Sequence, residues 1–204
     1  MINLFLRLQY WLKRVQVLDF FAPLAMRLYL APVMWMAGTK KLSAIESTIA
    51  WFGNPEWGLG LPFPEPLAWL VAILETTGAI MLLCGFGVRL IVIPLMLIML
   101  TAALTVHWDN GWLAIAEADG FFATDRTRDA IIRLDMAKSI VQEYGNYGWL
   151  TGKGSLVILN NGVEFAVTYF IMLLSLFFSG AGRYLSIDYW VSRWFTASGH
   201  RQIQ

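Results

Sequence analysis

Cysteine, charge and catalytic motifs are what this chain of 204 residues has least of. Its single cysteine, Cys84, cannot close an internal disulfide, and without a second thiol it makes no redox pair or cysteine-rich metal site. Lying inside an apolar run, it reads as a packed thiol. Charged residues make up 14% of the chain, against about 25% in soluble domains. The formal net charge of +1 supplies no field for gripping nucleic acid. No glycine-rich phosphate loop, metal-ligand spacing or nucleophile constellation stands out, so the sequence nominates no metal site and no self-sufficient enzyme. Repeats and low-complexity stretches are also missing.

What the chain has in quantity is apolar surface, 58% of its residues. A spanning helix needs about 20 mostly apolar residues, because no backbone amide can stay unpaired in hydrocarbon. Four segments qualify: Phe20 to Gly38, Leu67 to Phe86, Leu90 to Val106, and Val163 to Ala181. The fold class expected is therefore an all-α membrane protein, a bundle of four transmembrane helices forming one domain over 1–204. Pro32 and Pro94 sit inside spans, where neighbouring helices tolerate a kink. Trp11, Trp51, Trp57, Trp69, Trp108, Trp112, Trp149, Trp190 and Trp194 fall near or beyond span ends, where amphipathic rings settle in a bilayer. The first residues mix Arg7, Lys13 and Arg14 with short apolar patches and show no cleavage site; they read as an interfacial helix that stays on the protein.

Four spans put both termini and the Gly85–Arg89 turn on one side. Lysine and arginine divide equally between the two sides, but several on the far side lie deep in a long loop, where the positive-inside bias weakens. The expectation is cytoplasmic termini in a bacterial inner membrane, with Arg89 in a cytoplasmic turn. On the outer side, NPEWGLGLPFPEP reads as turns. The insertion from His107 to Gly162 is too long for a connector. In it Ile131, Leu134, Ala137 and Val141 recur at helical spacing opposite Arg133, Asp135 and Lys138, which predicts an amphipathic helix for the membrane surface or for a partner.

Charges inside a bilayer cost several kcal/mol and need a partner or a purpose. Arg27 in the first span and Glu75 in the second differ in expected depth by roughly 5 Å, so they are candidates for an intramembrane polar network, paired with each other. His107 closes the third span, Asn160 and Asn161 precede Glu164 at the start of the fourth, and Lys40 ends the first. Lys40, His107, Asn160 and Glu164 form a candidate outer polar cluster, in which a histidine beside a carboxylate would handle protons or bind a metal. Met26, Met34, Met36, Met96 and Met99 allow a copper(I) reading, but they form no dense cluster and packing explains them better.

Several runs carry a resemblance: RLYLAPVMWMAGTKKL, LETTGAIMLLCGFGVRL and SGAGRYLSID. With Arg27 and Leu28, Gly38, Lys41 and Leu42, Glu75 and Gly78, Gly85 and Arg89, then Gly180, Gly182, Arg183, Ser186 and Asp188, the chain resembles the DoxX family of small four-span bacterial membrane proteins. It departs from typical members in its long insertion. There NGWLAIAEA, EYGNYGWLTGKGS and VILNNGVEFAVTYFIMLLSLFF resemble a subgroup found beside genes that mature copper-binding ribosomal peptides. The resemblance implies an accessory role in the maturation, export or copper handling of such a peptide, with peptide-maturation proteins as partners. Other members resemble the small subunit of a thiosulfate–quinone oxidoreductase, which implies redox partners and a quinone as the alternative. Copper or quinone is thus the cofactor to consider, and a homo-oligomer remains open.

Overall fold

The computed structural model describes residues 9–11, 14 and 16–199. The expected interfacial helix over the first residues falls largely outside them. Among the described residues the chain is all-helical: α1 Phe21–Ser43, α2 Ile45–Gly53, α3 Pro64–Cys84, α4 Val88–Ala102, α5 Asp125–Tyr144, α6 Tyr147–Thr151, α7 Glu164–Ser179 and α8 Ile187–Gly199. Helix α4 runs on through a π turn, Ala103–His107, and a 3-10 turn, Trp108–Asn110. The one β feature described is an isolated bridge, Ile115 to Leu159.

Two helical runs are long and apolar enough to cross a membrane: Pro64–Cys84, with 21 residues, and Val88–Asn110, with 23. A third joins them if α1 and the helical stretch before it count as one bent span. Helix α7 is apolar but shorter, with 16 residues. The apolar residues that remain outside the core also point to lipid. On α4, Val88, Ile91, Val92 and Leu95 are buried, while Leu90, Ile93, Leu97 and Leu100 face outward. A helix apolar on both faces has its second face solvated by hydrocarbon rather than water.

Helix boundaries shift for local reasons. Helix α1 continues past Gly38 to Ser43, so Lys40 and Lys41 complete its last turn, where cations meet the negative end of the helix dipole. Helix α3 starts at Pro64, three residues before the expected Leu67, because proline fits the first turn of a helix, where the missing N–H has no acceptor to satisfy. The first connection also holds a helix, α2, ahead of the expected turns.

Residue contacts divide the chain into two compact units, Met1–Ile98 with Tyr169–Gln204, and Met99–Thr168. In the first, α1 packs along α3, and α2 packs on α3 as well. Small residues permit the approach: a Cβ at Gly38 would lie 2.7 Å from the Thr76 backbone nitrogen, and one at Gly78 would lie 2.9 Å from Leu95 Cδ1. Close backbone contact of this kind is how helices associate where lipid leaves little hydrophobic drive.

The second unit contains the insertion. Two extended stretches zip together: Ala116 N donates to Ile158 O, Asn160 N and Asn161 N to Ala114 O, Gly162 N to Leu113 O, and Val163 N to Gly111 O. Helix α5 covers the expected amphipathic segment and extends it, opened by Thr124, whose hydroxyl accepts from Thr127 N while the Thr127 hydroxyl accepts from Thr124 N. Its inward face holds Thr127 and Leu134. Ala137, expected on that face, is exposed, and Ile132, Met136 and Ile140 make a second, outward apolar stripe.

Candidate functional site

The expected pair of Arg27 with Glu75 does not form; each has other partners. Arg27 is buried on α1, and its five N–H donors all reach backbone carbonyls. Nε donates to Leu82 O at 2.7 Å, Nη1 to Ala181 O and Leu185 O, and Nη2 to Leu83 O at 3.1 Å and Leu185 O at 3.0 Å. The reason lies at the end of α3. A helix leaves its last carbonyls without intrahelical donors. Gly85, with φ +67°, reverses the chain so that Gly85 N bonds Leu82 O and Phe86 N bonds Met81 O. Leu83 O, and the second lone pair of Leu82 O, remain for Arg27.

The segment after α7 locks into the same corner. Ser186 caps α8 by accepting from Tyr189 N. Asp188 N donates to Gly85 O, and the Asp188 carboxylate accepts from Gly87 N at 2.7 Å and Val88 N at 3.1 Å. It thereby caps α4 from a distant part of the chain, where a negative charge also suits the helix dipole. Arg183 binds Asp19 through Nε and Nη2. That hydrogen bonding, then the carboxylate charge, pushes the Arg183 pKa further above its ordinary value. Arg89 donates from Nη2 to Phe178 O at the end of α7, and it has no ion-pair partner among the described residues.

Gly85 is the tightest point of this corner. A Cβ there would lie 2.7 Å from both Arg27 Cζ and Ser186 Cβ, and its positive φ already disfavours other residues. Gly85→Ala is expected to destabilise the protein by about 2 kcal/mol or more, read as a lower midpoint of thermal unfolding in detergent. An unchanged midpoint would show that the corner yields to the extra methyl.

Glu75 pairs with Lys41, Oε2 to Nζ, at 2.6 Å. Its carboxylate is 2% exposed and the lysine 25%. Helices α1 and α3 run antiparallel, and Lys41, at the end of α1, extends inward along α3 to reach the carboxylate. Lys41, read from the sequence only as part of the family-like Gly-x-x-Lys-Leu pattern, is therefore the partner that span-depth reasoning missed. Arginine was matched to Glu75 by depth, whereas the open carbonyls of α3 hold it a turn or two away.

In the second unit the expected outer cluster is a backbone clamp rather than a histidine–carboxylate pair. Asn160, buried, donates to Asn110 O at 2.8 Å and Leu113 O at 2.6 Å, and its Oδ1 accepts from Arg126 Nε. Glu164 Oε2 accepts from Ala114 N. His107 Nδ1 meets Asn161 O at 2.8 Å, beside Asn110 Nδ2. Peptide groups in the paired stretches thus take up both His107 and Glu164. Lys40 is exposed in the first unit, where its carbonyl accepts from Ser43 Oγ. Among the described residues no group of three His, Cys, Asp or Glu residues could hold a metal. Met34 is core and Met36 faces outward.

No curated protein matches the chain, and no solved structure does. The Gly180–Asp188 tail bonds directly to Arg27, Gly85, Gly87 and Val88. Residues 22–108 match the family model described as DoxX, a stretch that takes in Arg27, Lys41, Glu75, Gly85 and Arg89.

Proposed function

We propose that this is a non-catalytic accessory protein of a bacterial inner membrane that presents its 107–162 insertion to partner proteins on the outer side. What carries the reading is how the buried ionisable groups are used. Arg27 gives every donor to backbone carbonyls and Glu75 is bound to Lys41, so both have structural partners, whereas the insertion offers an outward apolar stripe of Ile132, Met136 and Ile140. In this reading α7 is the fourth crossing, about 24 Å long at 1.5 Å per residue and extended by its flanking apolar residues. Both termini and the Arg89 turn then face the cytoplasm. The partners proposed are proteins that mature or export a copper-binding ribosomal peptide, in keeping with the resemblance of the insertion stretches.

The test replaces residues 119–155 with a short Gly–Ser linker, which keeps the paired stretches around Ala116 and Ile158. The shortened protein is expected to melt within a few degrees of the parent yet lose its co-purifying partners from native membranes. An unchanged set of partners would sink the proposal.

The alternative is the membrane subunit of a quinone-linked oxidoreductase. It is favoured by the Lys41–Glu75 pair on two apolar helices, since paired intramembrane charges mark proton paths. Purified protein that neither retains nor binds a quinone would remove it.

A further inference from the structure

A cleft of about 920 Å³ opens beside the Arg27 corner, walled by Phe20, Pro23, Met26, Leu90 and Val191 and edged by Arg89, Arg183, Asp19 and Asp188. Its size is that of a small-ligand site. The charges on its edge are not equivalent. Asp19 is bound to Arg183, and Asp188 is bound to the amides that open α4. Arg89 is the exception: among the described residues only one of its five N–H donors, on Nη2, has an acceptor, and the guanidinium has no counter-ion there. Ser175 and Ser179 stand along the same edge.

The cleft also lies at the ends of apolar helices, the level expected for a bilayer surface. It is bounded by the start of α1, the start of α4, the end of α7 and the flank of α8. Helix α8 exposes Trp190, Trp194 and Phe195, with Arg193 over the Tyr189 and Trp190 rings. Such a helix lies in the headgroup region with its aromatic rings anchored there.

We propose that the cleft binds an acidic phospholipid, its phosphate on Arg89 and its acyl chains along the apolar wall. An arginine with open donors suits a phosphate oxygen, and the apolar wall requires a ligand with a hydrocarbon part. This goes beyond the accessory role, since the site lies away from the insertion.

The test uses the purified full chain in neutral detergent, titrated with phosphatidylglycerol, phosphatidylcholine or inorganic phosphate while the thermal midpoint and lipid retention in native mass spectra are followed. Phosphatidylglycerol alone is expected to raise the midpoint of the parent protein. Arg89→Gln is expected to bind it about tenfold more weakly, the effect of losing a charge-assisted contact. Ser175→Phe, at an exposed position on the cleft edge, leaves the arginine in place and should also weaken retention by narrowing the cleft. Arg193→Gln, on the α8 aromatic face, should bind as the parent does. Equal protection by phosphatidylcholine overturns the proposal, as does unaltered binding by Arg89→Gln or by Ser175→Phe. Protection by inorganic phosphate alone would replace the lipid with a free phosphate ligand. No partner protein takes part, so failure here leaves the accessory reading standing.

Discussion

Arg27→Met is expected to be the most destabilising single substitution in the spans, at about 3–5 kcal/mol. Methionine fills much of the arginine's volume, so packing survives and the loss isolates the hydrogen bonds. Four carbonyls, of Leu82, Leu83, Ala181 and Leu185, lose a buried donor together. Arg27 itself is buried, so each such loss carries part of the desolvation penalty of an unpaired carbonyl. Arg27→Lys should recover little, because an ammonium has three donors on one nitrogen and cannot span carbonyls from two separate segments. The observable is thermal unfolding of the purified protein in detergent, with proteolysis after Ser179 as a second readout, since the Gly180–Asp188 segment is expected to detach. A midpoint for Arg27→Met within two degrees of the parent would mean that these bonds contribute little.

Lys41→Met and Glu75→Gln are expected to be unequal, although they break the same pair. Removing the lysine leaves a carboxylate that is 2% exposed without its cation, whereas removing the carboxylate leaves a lysine that is 25% exposed and can turn its ammonium toward water. Losing the partner of a buried charge costs about 3 kcal/mol or more, so Lys41→Met should fall in that range. Glu75→Gln should cost about 1–2 kcal/mol, since the amide still accepts a hydrogen bond. The double substitution Lys41→Met, Glu75→Gln should be more stable than Lys41→Met alone, a coupling that a double-mutant cycle reads directly. Simple addition of the two single effects would show that the pair is not an energetic unit. Loss of a partner-dependent activity by Glu75→Gln in a normally stable protein would instead move the pair toward the quinone-linked reading.

These two clusters also show where reasoning from sequence reaches its limit. Span depth matched Arg27 with Glu75, whereas the guanidinium meets α3 seven and eight residues further on, at Leu82 and Leu83. Depth could not reveal that the end of α3 offers carbonyls without donors, because that vacancy depends on the left-handed turn at Gly85 and on the return of the chain at Ala181 and Leu185. The amphipathic helix in the insertion was legible from its 3.6-residue period, since that period is a local property. Its second apolar stripe was not, because which side faces inward depends on what packs against it. Lys40 belongs to the other unit, but His107, Asn160 and Glu164 were legible as a set of polar residues. Their service as backbone clamps was hidden, because the pairing of 110–116 with 158–164 spans more than forty residues.

The sequence by itself determined the solvent. Runs of about twenty apolar residues with so few charges can close their backbone hydrogen bonds only as helices in lipid, whatever their neighbours do. It also marked the motifs, down to the Gly180–Asp188 tail. Only the tertiary structure decided what the charged residues are for. Partner choice among Arg27, Lys41, Glu75, Arg89 and Asp188 is settled by which helix end, turn or carboxylate arrives within hydrogen-bonding distance. That arrival is a property of packing between segments distant in the chain.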